Sequence, residues 1–168
     1  LALDAGTGGA ISATAGNAGG LIDITDLTIT DAASASFAGR VQINELITTA
    51  NDYTLSLTGD VNTFAAAIDV LSTGKVTIGS ADGDSSTFTG GLTLANGNAA
   101  LDVRGSILSS GTAINFGTGT VTLLGDTTVA TATGDAAGEA ITFGGATATG
   151  GFDLELDAGT DGDISFAS

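Results

Sequence analysis

Repeatedly between Leu1 and Phe166 the chain sets one polar or small residue between two larger apolar ones, as in thirteen triplets. The triplets are Leu1-Ala2-Leu3, Ile22-Asp23-Ile24, Leu27-Thr28-Ile29, Val41-Gln42-Ile43, Leu55-Ser56-Leu57, Val76-Thr77-Ile78, Leu92-Thr93-Leu94, Leu101-Asp102-Val103, Ile114-Asn115-Phe116, Val121-Thr122-Leu123, Ile141-Thr142-Phe143, Leu154-Glu155-Leu156 and Ile164-Ser165-Phe166. A spacing of two puts both apolar side chains on the same side of an extended strand, so each triplet predicts a short strand with one face buried. Clusters such as Gly8-Gly9, Gly19-Gly20, Gly90-Gly91, Asn96-Gly97-Asn98, Gly117-Thr118-Gly119, Gly144-Gly145 and Gly150-Gly151 lie between them and supply the positive φ of tight corners. Val61 to Leu71 comes nearest to a helical pattern, and one short helix is expected there.

Two architectures use many short strands: a parallel solenoid and an antiparallel sandwich. Several triplets recur about twenty residues apart, Leu1 to Ile22 to Val41 and Leu101 to Val121 to Ile141, the length of one solenoid coil. Matched strands joined by Asn-Gly or Asp-Gly two-residue turns are missing, which disfavours hairpins. The chain contains no Pro, as expected where nearly every backbone N–H is committed to a ladder. The reading is therefore an all-β, parallel β-solenoid of some eight coils, roughly 40 Å long at about 4.8 Å per coil. Its core is aliphatic, with Leu55, Leu57, Val76, Ile78, Leu92, Leu94, Val121 and Leu123 stacked inward.

The opening segment returns near the end. Leu1-Ala2-Leu3-Asp4-Ala5-Gly6-Thr7-Gly8-Gly9-Ala10-Ile11-Ser12 matches Leu154-Glu155-Leu156-Asp157-Ala158-Gly159-Thr160-Asp161-Gly162-Asp163-Ile164-Ser165 at nine of twelve positions, at a spacing of 153 residues. The expected organisation over 1–168 is one solenoid segment, a unit of about 153 residues (1–153) followed by the start of another (154–168). Such units would continue into flanking repeats of the same chain or stack end to end on copies of themselves. With neither Met nor a signal peptide at Leu1, the chain reads as excised from a larger precursor.

Nineteen acidic residues against three basic ones, with no His, give a formal net charge of −16. Nucleic acid and anionic membrane surfaces are poor partners for such a chain. No apolar run is long enough to span a bilayer. A mean hydropathy of +0.39 argues against disorder. The absence of Cys fits a reducing compartment or a secreted protein that relies on ladders.

Two groups of carboxylates have ligand-like spacing: Asp82 with Asp84, and Asp157 with Asp161 and Asp163. They are the candidate Ca²⁺ ligands, since hard cations take several oxygens from Asp-rich turns. Asp and Gly are also ordinary corner residues, and the first copy of the recurring segment has Gly8 and Ala10 in place of Asp161 and Asp163. No catalytic residue is identified, because without His or Cys the common nucleophile–base pairs cannot be built. Arg40, Lys75 and Arg104 are expected to be solvated or paired with a nearby Asp. Thr118, Thr120, Thr122, Thr127, Thr128, Thr131 and Thr133 suggest hydroxyl ladders that order water or bind sugars, although Thr also simply favours strands.

The runs Val121-Thr122-Leu123-Leu124-Gly125-Asp126-Thr127-Thr128-Val129, Ile141-Thr142-Phe143-Gly144-Gly145-Ala146 and Leu154 to Phe166 resemble repeats of filamentous-haemagglutinin-like and other giant bacterial surface proteins. The likeness covers most of the chain and is least typical over Val61 to Leu71. It implies a right-handed β-helix, secretion to the cell surface, and a structural or adhesive role in an extracellular fibre or adhesin stalk, without enzymatic activity. The alternative function is a β-helix that binds or cleaves carbohydrate, with surface glycans as partners.

Overall fold

A computed structural model describes residues 1–14, 21–95, 97, 100–145 and 150–167. The expected corners at Gly19-Gly20, Asn96 and Asn98, and Ala146 of the runs quoted above, lie outside these residues. Among the described residues the chain forms seventeen strands and no helix, wound into a parallel β-solenoid of about 7 turns.

The winding has three faces. β1 (Ala2–Asp4) lies on the third, and the coils then run from the first face to the third. β2 (Ala10–Ala13) is followed by β3 (Leu21–Asp31), which bends across the second and third faces, and β4 (Ser34–Phe37) with β5 (Arg40–Thr48) repeats that path one coil on. The next two coils give one strand to each face: β6 (Thr54–Leu57), β7 (Val61–Phe64) and β8 (Ile68–Val70), then β9 (Val76–Ile78), β10 (Ser85–Phe88) and β11 (Leu92–Leu94). β12 (Ala100–Leu108) bends from the first face onto the second before β13 (Ile114–Asn115), and β14 (Thr120–Ala130) does so before β15 (Ile141–Phe143). β16 (Leu154–Asp157) and β17 (Ile164–Phe166) occupy the second and third faces of the last coil. β5 meets β8 through the Thr48 hydroxyl, which accepts from Leu71 N–H at 2.7 Å and donates to the Asp69 carbonyl at 3.1 Å. The named strands pair in parallel throughout, which rules out the antiparallel sandwich.

Register converts the triplets into columns. Ala35, Leu55, Val76, Leu101 and Val121 stack on one another, as do Phe37, Leu57, Ile78, Val103 and Leu123, all buried. Leu92 and Leu94 are buried likewise against Ile68 and Val70. Face-to-face stacking is not the intrinsic preference of aromatic rings. Here a strand spacing of about 4.8 Å permits it: the ring centroids of Phe64 and Phe88 lie 4.8 Å apart at 5°, and those of Phe143 and Phe166 lie 4.6 Å apart at 5°, whereas Phe116 and Phe143, 4.9 Å apart, are tilted by 39°.

Three expectations are corrected. Val61 to Leu71 is not helical: β7 and β8 meet at a corner over 65–67, because Phe64 has its partner in Phe88 and Ile68 and Val70 have theirs in Leu92 and Leu94. Ladder and core outweigh the helix propensity of three alanines. Coils also vary in length, stepping 19 residues from Thr28 to Ile47 but 27 from Thr128 to Glu155, which makes about 7 turns rather than eight. Leu101 and Val121 do pair, yet Ile141 falls on the third face, because the loop over 131–140 lengthens that coil.

The recurring segment has the same local structure in both copies. Asp4 Oδ1 accepts from Gly6 N–H at 2.9 Å, and Asp157 Oδ1 from Gly159 N–H at 3.0 Å. A Cβ on Gly9 would stand 2.1 Å from the Ala5 carbonyl oxygen, and one on Gly162 would stand 2.2 Å from that of Ala158, so each corner requires glycine there. The copies nevertheless occupy different faces, β1 the third and β16 the second.

Candidate functional site

Charge concentrates where the first face turns into the second. Here Arg40 faces Asp60 at 3.8 Å one coil on, and Arg104 Nε donates to Asp82 Oδ1 at 2.7 Å one coil back. Arg104 also donates to the Ser80 carbonyl at 3.2 Å. On the first face Lys75 pairs with Asp102. All three basic side chains are thus bound to an aspartate of a neighbouring coil, as expected from their isolation in the sequence. The hydrogen bond from Arg104 holds Asp82 below the usual carboxylate range, opposed by desolvation and aided by the guanidinium charge and the Asp126 backbone. Arg104 is raised in turn, chiefly by Asp82.

Asp84 has a different task. It is 8% exposed, and its Oδ2 accepts from Ser80 N–H at 2.7 Å, Ser80 Oγ at 2.8 Å and Ala81 N–H at 2.9 Å. These bonds shape the corner before β10. A cation on Asp84 Oδ2 would compete with three donors, and one at Asp82 would compete with a guanidinium.

The second acidic group lies on the last coil. Asp157, Asp161 and Asp163 are all exposed; Asp157 closes its own turn, while Asp161 and Asp163 join the ladder through backbone groups. Among the described residues no three acidic side chains converge where they could hold a metal ion.

The threonines divide. Thr127 and Thr131 are buried and structural, whereas Thr118, Thr120 and Thr133 are exposed. Thr131 Oγ1 donates to the Glu139 carbonyl at 2.6 Å and accepts from Glu139 N–H at 3.0 Å, closing the loop over 131–140. A regular hydroxyl row does exist elsewhere, on the outside of the first face, where Ser12, Ser36, Ser56 and Thr77 stand in register before Asp102 and Thr122 continue it.

Buried polar groups at several inward positions have no signature in the triplet pattern. Asn62 sits in the column between Val41 and Ser86, where Nδ2 donates to Ser86 Oγ at 3.0 Å and to the Gly59 carbonyl at 3.2 Å. Its Oδ1 accepts from Val41 N–H at 3.3 Å. Ser72 and Ser109 likewise bond corner carbonyls, at 2.6 Å to Tyr53 and 2.5 Å to Thr112. Burial pushes the Tyr53 phenol up, and among the described residues its hydroxyl lacks a hydrogen-bond partner.

One concavity stands apart from the paired charges. A groove of about 280 Å³ runs along the corner between the second and third faces over the first three full coils, lined by Asp23, Thr25, Gln42, Asn44, Thr63 and Ala65 with Ile24 and Ile43.

The chain matches no family model, no curated protein and no solved structure. The parallel β-solenoid of about 7 turns is compatible with β-helix repeats.

Proposed function

We propose that the protein is a structural or adhesive element of the bacterial cell surface, a length of extracellular fibre or stalk, and not a catalyst. The supporting observation is continuity: the parallel ladder of the second face runs unbroken from β3 to β16 in a winding of about 7 turns, a rod of roughly 34 Å at about 4.8 Å per turn. In such a rod each coil contacts only its neighbours, so length grows by adding coils without redesigning a core. The recurrence 153 residues apart is read as the period of a repeating unit. That arrangement favours reach over chemistry. Among the described residues no helix is long and apolar enough to cross a membrane.

Antibodies raised against the purified chain should label intact cells of the source organism without permeabilisation. Labelling only after lysis would contradict an extracellular role.

Carbohydrate binding is the second reading, and the groove between the second and third faces, with Asp23, Gln42 and Asn44 in its lining, favours it. Carbohydrate cleavage has no comparable support in the geometry.

A further inference from the structure

We infer that the groove at Asp23, Gln42 and Asn44 is a binding site for a neutral sugar unit. Register builds it from three adjacent coils. Asp23, Gln42 and Thr63 stand on one another along the outside of the second face, with Thr25, Asn44 and Ala65 beside them at the corner. Asp23, Thr25, Gln42 and Asn44 are exposed.

The groove's polar groups are largely uncommitted. Elsewhere on the surface the basic residues are paired with aspartates, and Asp84 is spent on its own loop. Among the described residues the side chains of Asp23, Thr25, Gln42 and Thr63 make no hydrogen bond. Asn44 makes one, from Nδ2 to Asp26 Oδ1 at 3.0 Å, which fixes the amide while leaving its oxygen and second N–H for a ligand. The inventory is then a carboxylate that accepts, two amides that donate and accept, and two hydroxyls that do either.

Adjacent hydroxyls of a sugar ring, each donor and acceptor at once, match this set. An anion does not, since no cation lines the groove and the chain carries a formal charge of −16. At about 280 Å³ the space lies just below the ~300 Å³ where drug-sized pockets begin, which suits a single ring. No aromatic side chain offers a stacking platform, so affinity rests on exposed hydrogen bonds and falls on the order of 1–10 mM.

The inference gives the adhesive reading a ligand class and rests on that reading only for its biological meaning; the labelling of intact cells tests location independently of what the groove binds. The test is a titration of the ¹⁵N-labelled chain with methyl glucoside, methyl galactoside and methyl mannoside, with methyl glucuronide as the anionic comparison. At least one neutral glycoside should produce saturable amide shifts confined to residues 23–25, 42–44 and 63–65, and the glucuronide should not. Gln42→Ala and Asn44→Ala, whose side chains lie on the surface, should each keep the wild-type circular dichroism and weaken binding at least about fivefold. Thr122→Ala, on the first face, should leave binding unchanged. No saturable shift with any neutral glycoside, shifts on another face, equal binding of the glucuronide, or undiminished binding by both groove variants would overturn the assignment.

Discussion

Single side chains hold the corners, and two of them make sharp tests. Thr131 is fully buried and binds both backbone groups of Glu139. Replacing it with the isosteric Val leaves that N–H and carbonyl without their partner, so Thr131→Val should cost about 1–3 kcal/mol in chemical denaturation. Loss of nothing measurable would show that the loop over 131–140 closes by other means. Asp82 is tested through pH. Its pKa is depressed in the folded chain, so its contribution to stability is present above the unfolded value near 3.8 and is lost as pH falls through the folded value. Asp82→Asn should therefore be less stable than wild type at neutral pH, and the gap should narrow as pH drops below about 4. A gap that stays constant into acid would mean that the Arg104 contact contributes nothing through charge. The sequence announces these aspartates as a pair and cannot say that one binds a guanidinium on the next coil while the other ties its own loop, because neither Arg104 nor Ser80 is marked by spacing.

At the level of the strand, sequence and structure agree where period two is uninterrupted. Leu55-Ser56-Leu57 and Val76-Thr77-Ile78 declare their buried faces, and the structure stacks them as expected. Legibility fails at inward positions occupied by polar residues. Asn62 and Ser86 interrupt an aliphatic column yet are satisfied by one another and by corner backbone, a solution visible only once β7 and β10 are in register. It fails too at Val61 to Leu71, where local propensity and the ladder disagree and the ladder wins. The stacked rings give the strand-scale prediction. Phe88 is fully buried with its ring on Phe64, so Phe88→Ala should cost about 3–5 kcal/mol by opening a cavity that a parallel ladder cannot collapse to fill. A loss under about 1 kcal/mol would indicate a core far looser than these columns describe.

Over the whole molecule the consequential number is the fraction of a turn between the two copies of the recurring segment. β15 returns to the face of β1 after six turns, and β16 lies two faces further on. If the 153-residue spacing is the period of an array, each unit advances six and two-thirds turns. Equivalent faces of successive units then point a third of a turn apart, and the sugar groove comes back to one line along the rod only at every third unit. A chain carrying three tandem units should show that rotation by electron microscopy with a tag at Gln42, whereas tags aligned on one side would contradict it. All of this depends on parallel coils in strict register. Spin labels on the outside of the first face test that most directly: a label at Ser36 paired with one at Thr77 spans two coils, and paired with one at Thr122 it spans four. The backbone separations should be about 10 and about 19 Å, with narrow distributions and a near-doubling from the first pair to the second. Separations that do not scale with the number of coils, or a Ser36–Thr122 distance well beyond about 19 Å, would contradict the parallel solenoid itself.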